Sequence, residues 1–248
     1  MAVPPSTLAR MLSPKNPKST VKVVGELLRL DQYNCVVDGP AFQIALDDVF
    51  RRLDASQISQ GAGTGKVGYY PDLAKFLTSC VEECHEVLDK QKATPRQDRW
   101  YQELQFVAGE PLADRVEGSA PLKPDLTGGH RASALGPKDR FSWNPPENKP
   151  GNRLMIPVEV KNSWREIVVQ TSAYARGLFS AGRPRLFALV LAFNQDKRER
   201  RFLVFHRGGL TASELCNIEE PDGLKEIACI FLTMASWSTP EHAGFVHQ

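Results

Sequence analysis

Apolar positions along the chain follow three periodicities, and each predicts a different element. Phe42, Ala45, Leu46, Val49 and Leu53 recur at three- and four-residue spacing with Arg51 and Arg52 off the stripe, the pattern of an amphipathic helix. Leu73, Phe76, Leu77, Cys80, Cys84, Val87 and Leu88 repeat that spacing, and Pro71 suits the first turn of a helix running to about Gln91. Residues 165–181 and 223–236 read as two further helices. Segments 100–108, 154–161 and 201–206 have the short, apolar-flanked character of strands. The run 186–193 (LFALVLAF) is continuously apolar, as expected of a strand buried on both faces. Residues 21–30 fit a helix or a strand.

The order helix, strand, strand, strand, helix, strand, strand predicts an α/β fold with a mixed central sheet flanked by helices. Residues 1–60 read as a helical N-terminal extension and 61–248 as the α/β domain. Residues 1–20 are rich in Pro, Ser and Lys and are expected to be mobile. Residues 57–68 read as a glycine-rich loop. Lys123-Pro124-Asp125-Leu126 is a short extended element stopped by Gly128-Gly129, and the proline-rich stretch 129–152 reads as a long surface insertion.

Composition narrows the function classes. A length of 248 residues with 42% apolar content supports one large core, and a net charge of +2 is only mildly basic. A nucleic-acid partner would therefore have to meet a local patch. Five cysteines (Cys35, Cys80, Cys84, Cys216 and Cys229) are few and unpatterned, which points to a reducing, intracellular compartment, nuclear or cytoplasmic, rather than to secretion. No secretory signal is visible in residues 1–20, and the longest apolar run is too short for a bilayer span, so no membrane role is expected.

The chemistry concentrates in Val158-Glu159-Val160-Lys161, which follows Pro124-Asp125. On a strand, residues two apart share a face, so Glu159 and Lys161 should project together. With Asp125 delivered from a neighbouring strand, two carboxylates and the Val160 carbonyl form a hard-oxygen donor set for Mg2+ or Mn2+. Lys161 would orient or deprotonate an attacking water, or steady the charge on a pentavalent phosphorus. Gln170 and Tyr174, four apart on the 165–181 helix, share a face that can look back at this strand and bind substrate. Converging carboxylates should also repel, so Asp125→Asn is expected to relieve strain in the metal-free protein.

Taken together, Pro124-Asp125, Glu159-Val160-Lys161 and Gln170-x-x-x-Tyr174 resemble the PD-(D/E)xK, or restriction-endonuclease-like, nuclease superfamily. The Gln-x-x-x-Tyr element is similar to its exonuclease branch. More narrowly, the last 130 or so residues resemble the amino-terminal region of fungal-type protein kinases. That likeness rests on Pro124-Asp125-Leu126, Trp143, Val158-Glu159-Val160-Lys161, Gln170 with Tyr174-Ala175-Arg176, Arg185 and Phe205-x-Arg207-x-Gly209. The resemblance implies a restriction-endonuclease-like core, a magnesium- or manganese-dependent nuclease activity, DNA rather than RNA as substrate, and an assembly compatible with a homodimer. It also implies a third acid from the first long helix, for which Glu83 lies nearest the apolar stripe. The chain departs from the narrower family at His206, where Asp is usual. It also contains neither a His-Arg-Asp catalytic loop nor an Asp-Phe-Gly motif, so phosphotransfer is not expected. The other function consistent with the resemblance is an inactive nuclease-like scaffold that binds nucleic acid or a kinase partner.

Plainer readings compete with each of these. A Glu-x-Lys pair on a strand is often only solvated, Asp125 fits a turn before Gly128-Gly129, and Tyr174 fits a core edge. Gly61-Ala62-Gly63-Thr64-Gly65-Lys66 is one residue off phosphate-loop spacing, with Val67 in the hydroxyl position, and reads as a loop. Cys80 and Cys84 fall in an apolar stripe and read as core thiols rather than as zinc ligands. Lys197, Arg198, Arg200 and Arg201, interleaved with Asp196 and Glu199, read as a solvated hairpin turn; a phosphate-backbone role alongside Arg183 and Arg185 is the rival reading.

Overall fold

The computed structural model describes residues 40–53, 65–91, 97, 101–109, 112, 114, 122–130, 140–145 and 152–246. Four helices and seven strands occupy them: α1 (Pro40–Arg52), α2 (Gly65–Lys90), β1 (Leu104–Ala108), β2 (Leu126–His130), β3 (Leu154–Lys161), α3 (Trp164–Ser180), β4 (Phe187–Asn194), β5 (Glu199–His206), β6 (Gly209–Ala212), β7 (Cys216–Asn217) and α4 (Pro221–Ala235). The strands form one mixed sheet in the order β1-β2-β3-β4-β5-β6, with β7 pairing β5. Only β3 and β4 run parallel, so the chain must cross over between them, and α3 is that crossover. The protein is an α/β fold with a mixed central sheet flanked by helices. Among the described residues no helix is long and apolar enough to cross a membrane.

The continuous apolar run explains the centre of the sheet. Every residue of β4 is buried, and alternate side chains feed two cores. Leu189, Leu191 and Phe193 join α1, α2 and α4 on one face, whereas Ala188, Val190 and Ala192 join α3 on the other. In β3 the residues Ile156, Val158 and Val160 face the three-helix side, which turns Glu159 and Lys161 toward α3. Helix α1 contributes Ala45, Leu46 and Val49 to the same core as α2 and α4.

Several boundaries differ from the sequence expectation. Helix α2 begins at Gly65, so residues 65–68 are helical rather than loop, and Pro71 lies inside the helix instead of opening it. Its missing N–H forfeits one helical bond. Gly128 and Gly129 lie within β2 rather than ending it. A Cβ on Gly129 would sit 2.5 Å from the Arg153 carbonyl and from the Phe141 ring, so that backbone must approach β3 bare. Part of the stretch expected to be a surface insertion is interior: Phe141 and Trp143 are only 4% and 1% exposed, and Ser142 bridges to Arg153. Strands β6 and β7 were not expected. They are short, and β7 spans two residues, below what a periodicity can reveal. Segments 1–20 and 21–30 lie outside the described residues, as do 54–64, which hold most of the phosphate-loop lookalike.

Candidate active site at the carboxyl end of the parallel pair

Strand pairing delivers the acids. Leu126, next to Asp125, is paired with Val158, next to Glu159, so the antiparallel register of β2 and β3 brings the two carboxylates to one place. The Asp125 Oδ2 atom accepts the Val160 backbone N–H at 2.9 Å and the Lys161 ammonium at 3.1 Å. Lys161 also forms an ion pair with Glu159 Oε1, and its Nζ lies 3.4 Å from the Val160 carbonyl. One ammonium therefore sits among the three oxygen donors named from the sequence. Asp125 is not the turn residue that Gly128-Gly129 suggested. It is held by a backbone N–H and a lysine. The relief expected from Asp125→Asn loses its basis, because Lys161 supplies the countercharge.

Helix α3 completes the arrangement from above the sheet. The Tyr174 hydroxyl lies 2.7 Å from Glu159 Oε2 and 3.0 Å from the Lys123 carbonyl; its one proton serves the nearer, charged acceptor. Gln170, one turn earlier, donates its amide N–H to the same hydroxyl at 3.1 Å. Tyr174 is thus fully buried, yet it serves the site and not only a core edge. Asp125, Glu159, Lys161, Gln170 and Tyr174 form one connected network, and Val160 joins it through its backbone.

Burial gives this network its electrostatics. Glu159 is 1% exposed, and desolvation pushes its carboxyl pKa up. The Lys161 hydrogen bond opposes that rise, Asp125 adds to it, and the Tyr174 hydroxyl opposes it. Burial alone would lower the Lys161 pKa, but its contacts with Glu159 and Asp125 outweigh that and leave it raised. Lys161 is therefore a firmly held cation in this state, suited to steadying negative charge rather than to accepting a proton. Partial exposure of Lys161 and Asp125 (28% and 18% of their side chains) opens the site to solvent on one side.

Sequence reading missed Tyr70. It lies on α2 close to Asp125; burial raises its pKa first, with Asp125 and Glu159 adding to the effect. Nothing in Tyr69-Tyr70-Pro71 marks it, since the helix was expected to start after it. Glu83, the acid sought on that helix, points elsewhere: it pairs with Arg52 at 3.1 Å. Among the described residues no group of three or more Asp, Glu, His or Cys is placed to hold a metal ion. The donors present are two carboxylates and a carbonyl, hard oxygens of the kind that bind a divalent cation still carrying most of its water.

The basic hairpin differs from expectation. Arg200 and Arg201 are 4% and 6% exposed; they stack on Phe193 and Trp164, and Arg201 donates to the Ser213 carbonyl. Arg198 is bound by Glu219. The turn itself is solvated as expected, with Asp196, Lys197 and Arg198 exposed, but Arg200 and Arg201 turn inward and do not extend it into an open cationic strip. Cys80 and Cys84 are fully buried core thiols. His206 closes its own turn, accepting the Gly208 N–H and contacting the Thr211 hydroxyl.

Neither a family model, a curated protein nor a solved structure matches the chain.

Proposed function

We propose that this chain is a metal-dependent phosphodiesterase of restriction-endonuclease-like descent, acting on nucleic acid, with DNA the expected substrate. One observation carries the reading: two carboxylates from adjacent strands converge on one cationic position, beside a helix that presents an amide and a phenol. Asp125, Glu159 and the Val160 carbonyl would hold Mg2+ or Mn2+, which when bound activates a water and neutralises phosphate charge. Tyr174 fixes the Glu159 carboxylate in its rotamer, and Gln170 fixes Tyr174. The Lys161 ammonium, freed from the carboxylates, faces the phosphate and steadies its developing charge. Tyr70 stands near Asp125 on the α2 side. The test is plasmid nicking with Mg2+ or Mn2+ by wild type and by Lys161→Gln, with folding of both checked by circular dichroism. Wild type should nick and the folded variant should not; equal nicking by both removes the reading.

A second reading has its own observation, the ammonium already seated between the carboxylates with Glu83 turned away. On that basis the site is a self-neutralised relic and the fold is a binding scaffold. Mn2+ titration separates the two. A catalytic site takes up Mn2+ and loses it in Glu159→Gln, whereas a relic takes up none in either protein.

A further inference from the structure

The opposite end of the β3–β4 pair gathers three arginines. Arg185, just before β4, is 5% exposed; it donates to the Leu154 carbonyl at 3.2 Å and the Met155 carbonyl at 3.5 Å. Its guanidinium lies 4.3 Å over the Phe245 ring, and that of Arg183 lies 5.7 Å over the same ring. Arg153, just before β3, carries a charge that acts on Arg185 and is acted on by Arg183. The Arg185 Nε and Arg153 Nη1 atoms are buried with no hydrogen-bond partner among the described residues. No carboxylate among those residues forms an ion pair with any of the three. Asp114 eases Arg153 from a distance, but its two oxygens accept the Trp143 and Asn144 backbone N–H groups at 2.7 and 2.8 Å.

Three like charges, one of them almost wholly buried, are unfavourable unless something neutralises them. Two carbonyls and one ring face offset only part of the cost for Arg185. Arg52 with Glu83 and Arg198 with Glu219 are paired with an acid; Arg200 and Arg201 are instead buried singly against Phe193 and Trp164, whereas here three arginines share one place. Guanidinium forks match phosphate oxygens in geometry as well as charge.

We infer that Arg153, Arg183 and Arg185 form a second site that binds a phosphate group, with Arg153 and Arg183 contacting it and Arg185 anchored behind them on Phe245. The site is distinct from the Glu159–Lys161 network. Five residues of β3 lie between Arg153 and Glu159, so the two are six steps, or about 20 Å of extended chain, apart. A free phosphate and the terminal phosphate of a polynucleotide share the chemistry it recognises.

The test is thermal unfolding at constant ionic strength with inorganic phosphate replacing chloride, on wild type, Arg153→Ala, Arg183→Ala and Lys161→Gln. Arg153 and Arg183 are only partly buried, so both alanine variants should fold. Wild type and Lys161→Gln should gain about 2–4 °C in phosphate, and the two arginine variants should gain nothing. In chloride at low ionic strength, Arg183→Ala should melt no lower than wild type, because a repulsive charge has been removed. No gain in wild type, or the same gain in the arginine variants, overturns the site. So does a clear loss of Tm for Arg183→Ala in chloride, since that is the behaviour of a structural arginine. A 5′-phosphorylated oligonucleotide that stabilises more than its 5′-hydroxyl counterpart would assign the phosphate to a nucleic-acid end. Equal effects would assign it to free phosphate. Because Lys161→Gln disables only the proposed catalytic end, failure of nuclease activity and failure of this site are read separately.

Discussion

Tyr174 illustrates how much one hydroxyl does here. It satisfies a carboxylate that is almost wholly out of water, and a buried charge left without its donor costs more than the bond itself contributes. Tyr174→Phe should lower stability by about 1–3 kcal/mol in urea unfolding at neutral pH. It should also raise the Glu159 pKa further, because the phenol is one of the groups holding it down; a carboxyl titration followed by NMR reads that shift. No loss in either measurement would show the contact to be idle. Glu226 on α4 gives the residue-level pH prediction. Burial raises its carboxyl from 4.5 to about 7, with the Cys216 thiol working against the rise and Glu214 and Asp222 adding to it. The folded chain thus holds a proton that the unfolded chain releases, and stability falls as pH climbs from 4.5 to 7. Glu226→Gln should therefore melt higher than wild type at pH 8, with the advantage vanishing near pH 4.5. A Tm difference independent of pH would contradict this. Glu159 with Lys161, and Gln170 with Tyr174, were legible in the sequence because strand and helix spacing puts each pair on one face; Asp125 joined them through the resemblance, and the β2–β3 register is what brings it there. Tyr70 was not legible, since its place near Asp125 depends on where α2 begins.

Among the elements, β3, α3 and β4 were legible to within a residue at each end, because each is buried along a full face and periodicity reports burial. The start of α2 was misjudged because Gly61, Gly63, Gly65 and Gly68 read as loop, yet the helix runs through the last two of them. Gly128 and Gly129 were misjudged in the same way, as a stop instead of a narrow strand. Their role yields a direct expectation. Gly129→Ala drives a methyl group into the Arg153 carbonyl and the Phe141 ring, and should destabilise by about 1–3 kcal/mol in chemical denaturation. A neutral result would mean that β2 can lift away from β3 at no cost, and the Asp125–Glu159 register could not then rest on that pairing. Arg200 and Arg201 show the limit of charge patterning: alternating charges look solvated in a string of letters, while Phe193 across the hairpin and Trp164 at the start of α3 cover the guanidinium groups.

Over the described residues, the two cores share the central strands β3, β4 and β5, and β4 is the one buried along its whole length. Every one of its side chains is buried, and it pairs with β3 on one side and β5 on the other. Local opening should therefore leave it for last. In hydrogen exchange, the amides of β3 and β4 should exchange only through global unfolding, with denaturant dependence matching the whole-chain transition, while those of β6 and β7 should exchange earlier. Faster exchange in β4 than in β6 would refute this ordering.

Helix α3 rests on Trp143 at Gly177, where an added Cβ would come within 3.0 Å of the indole ring. Gly177 lies three residues from Tyr174, so the thickness of that one indole sets how far the phenol stands above the sheet. Trp143 is in turn moored by the Asp114 carboxylate through its backbone N–H. A stretch that looks expendable between β2 and β3 is therefore a shim: a bulkier or slimmer wedge there would retune the grip on Glu159 without altering any residue that touches it.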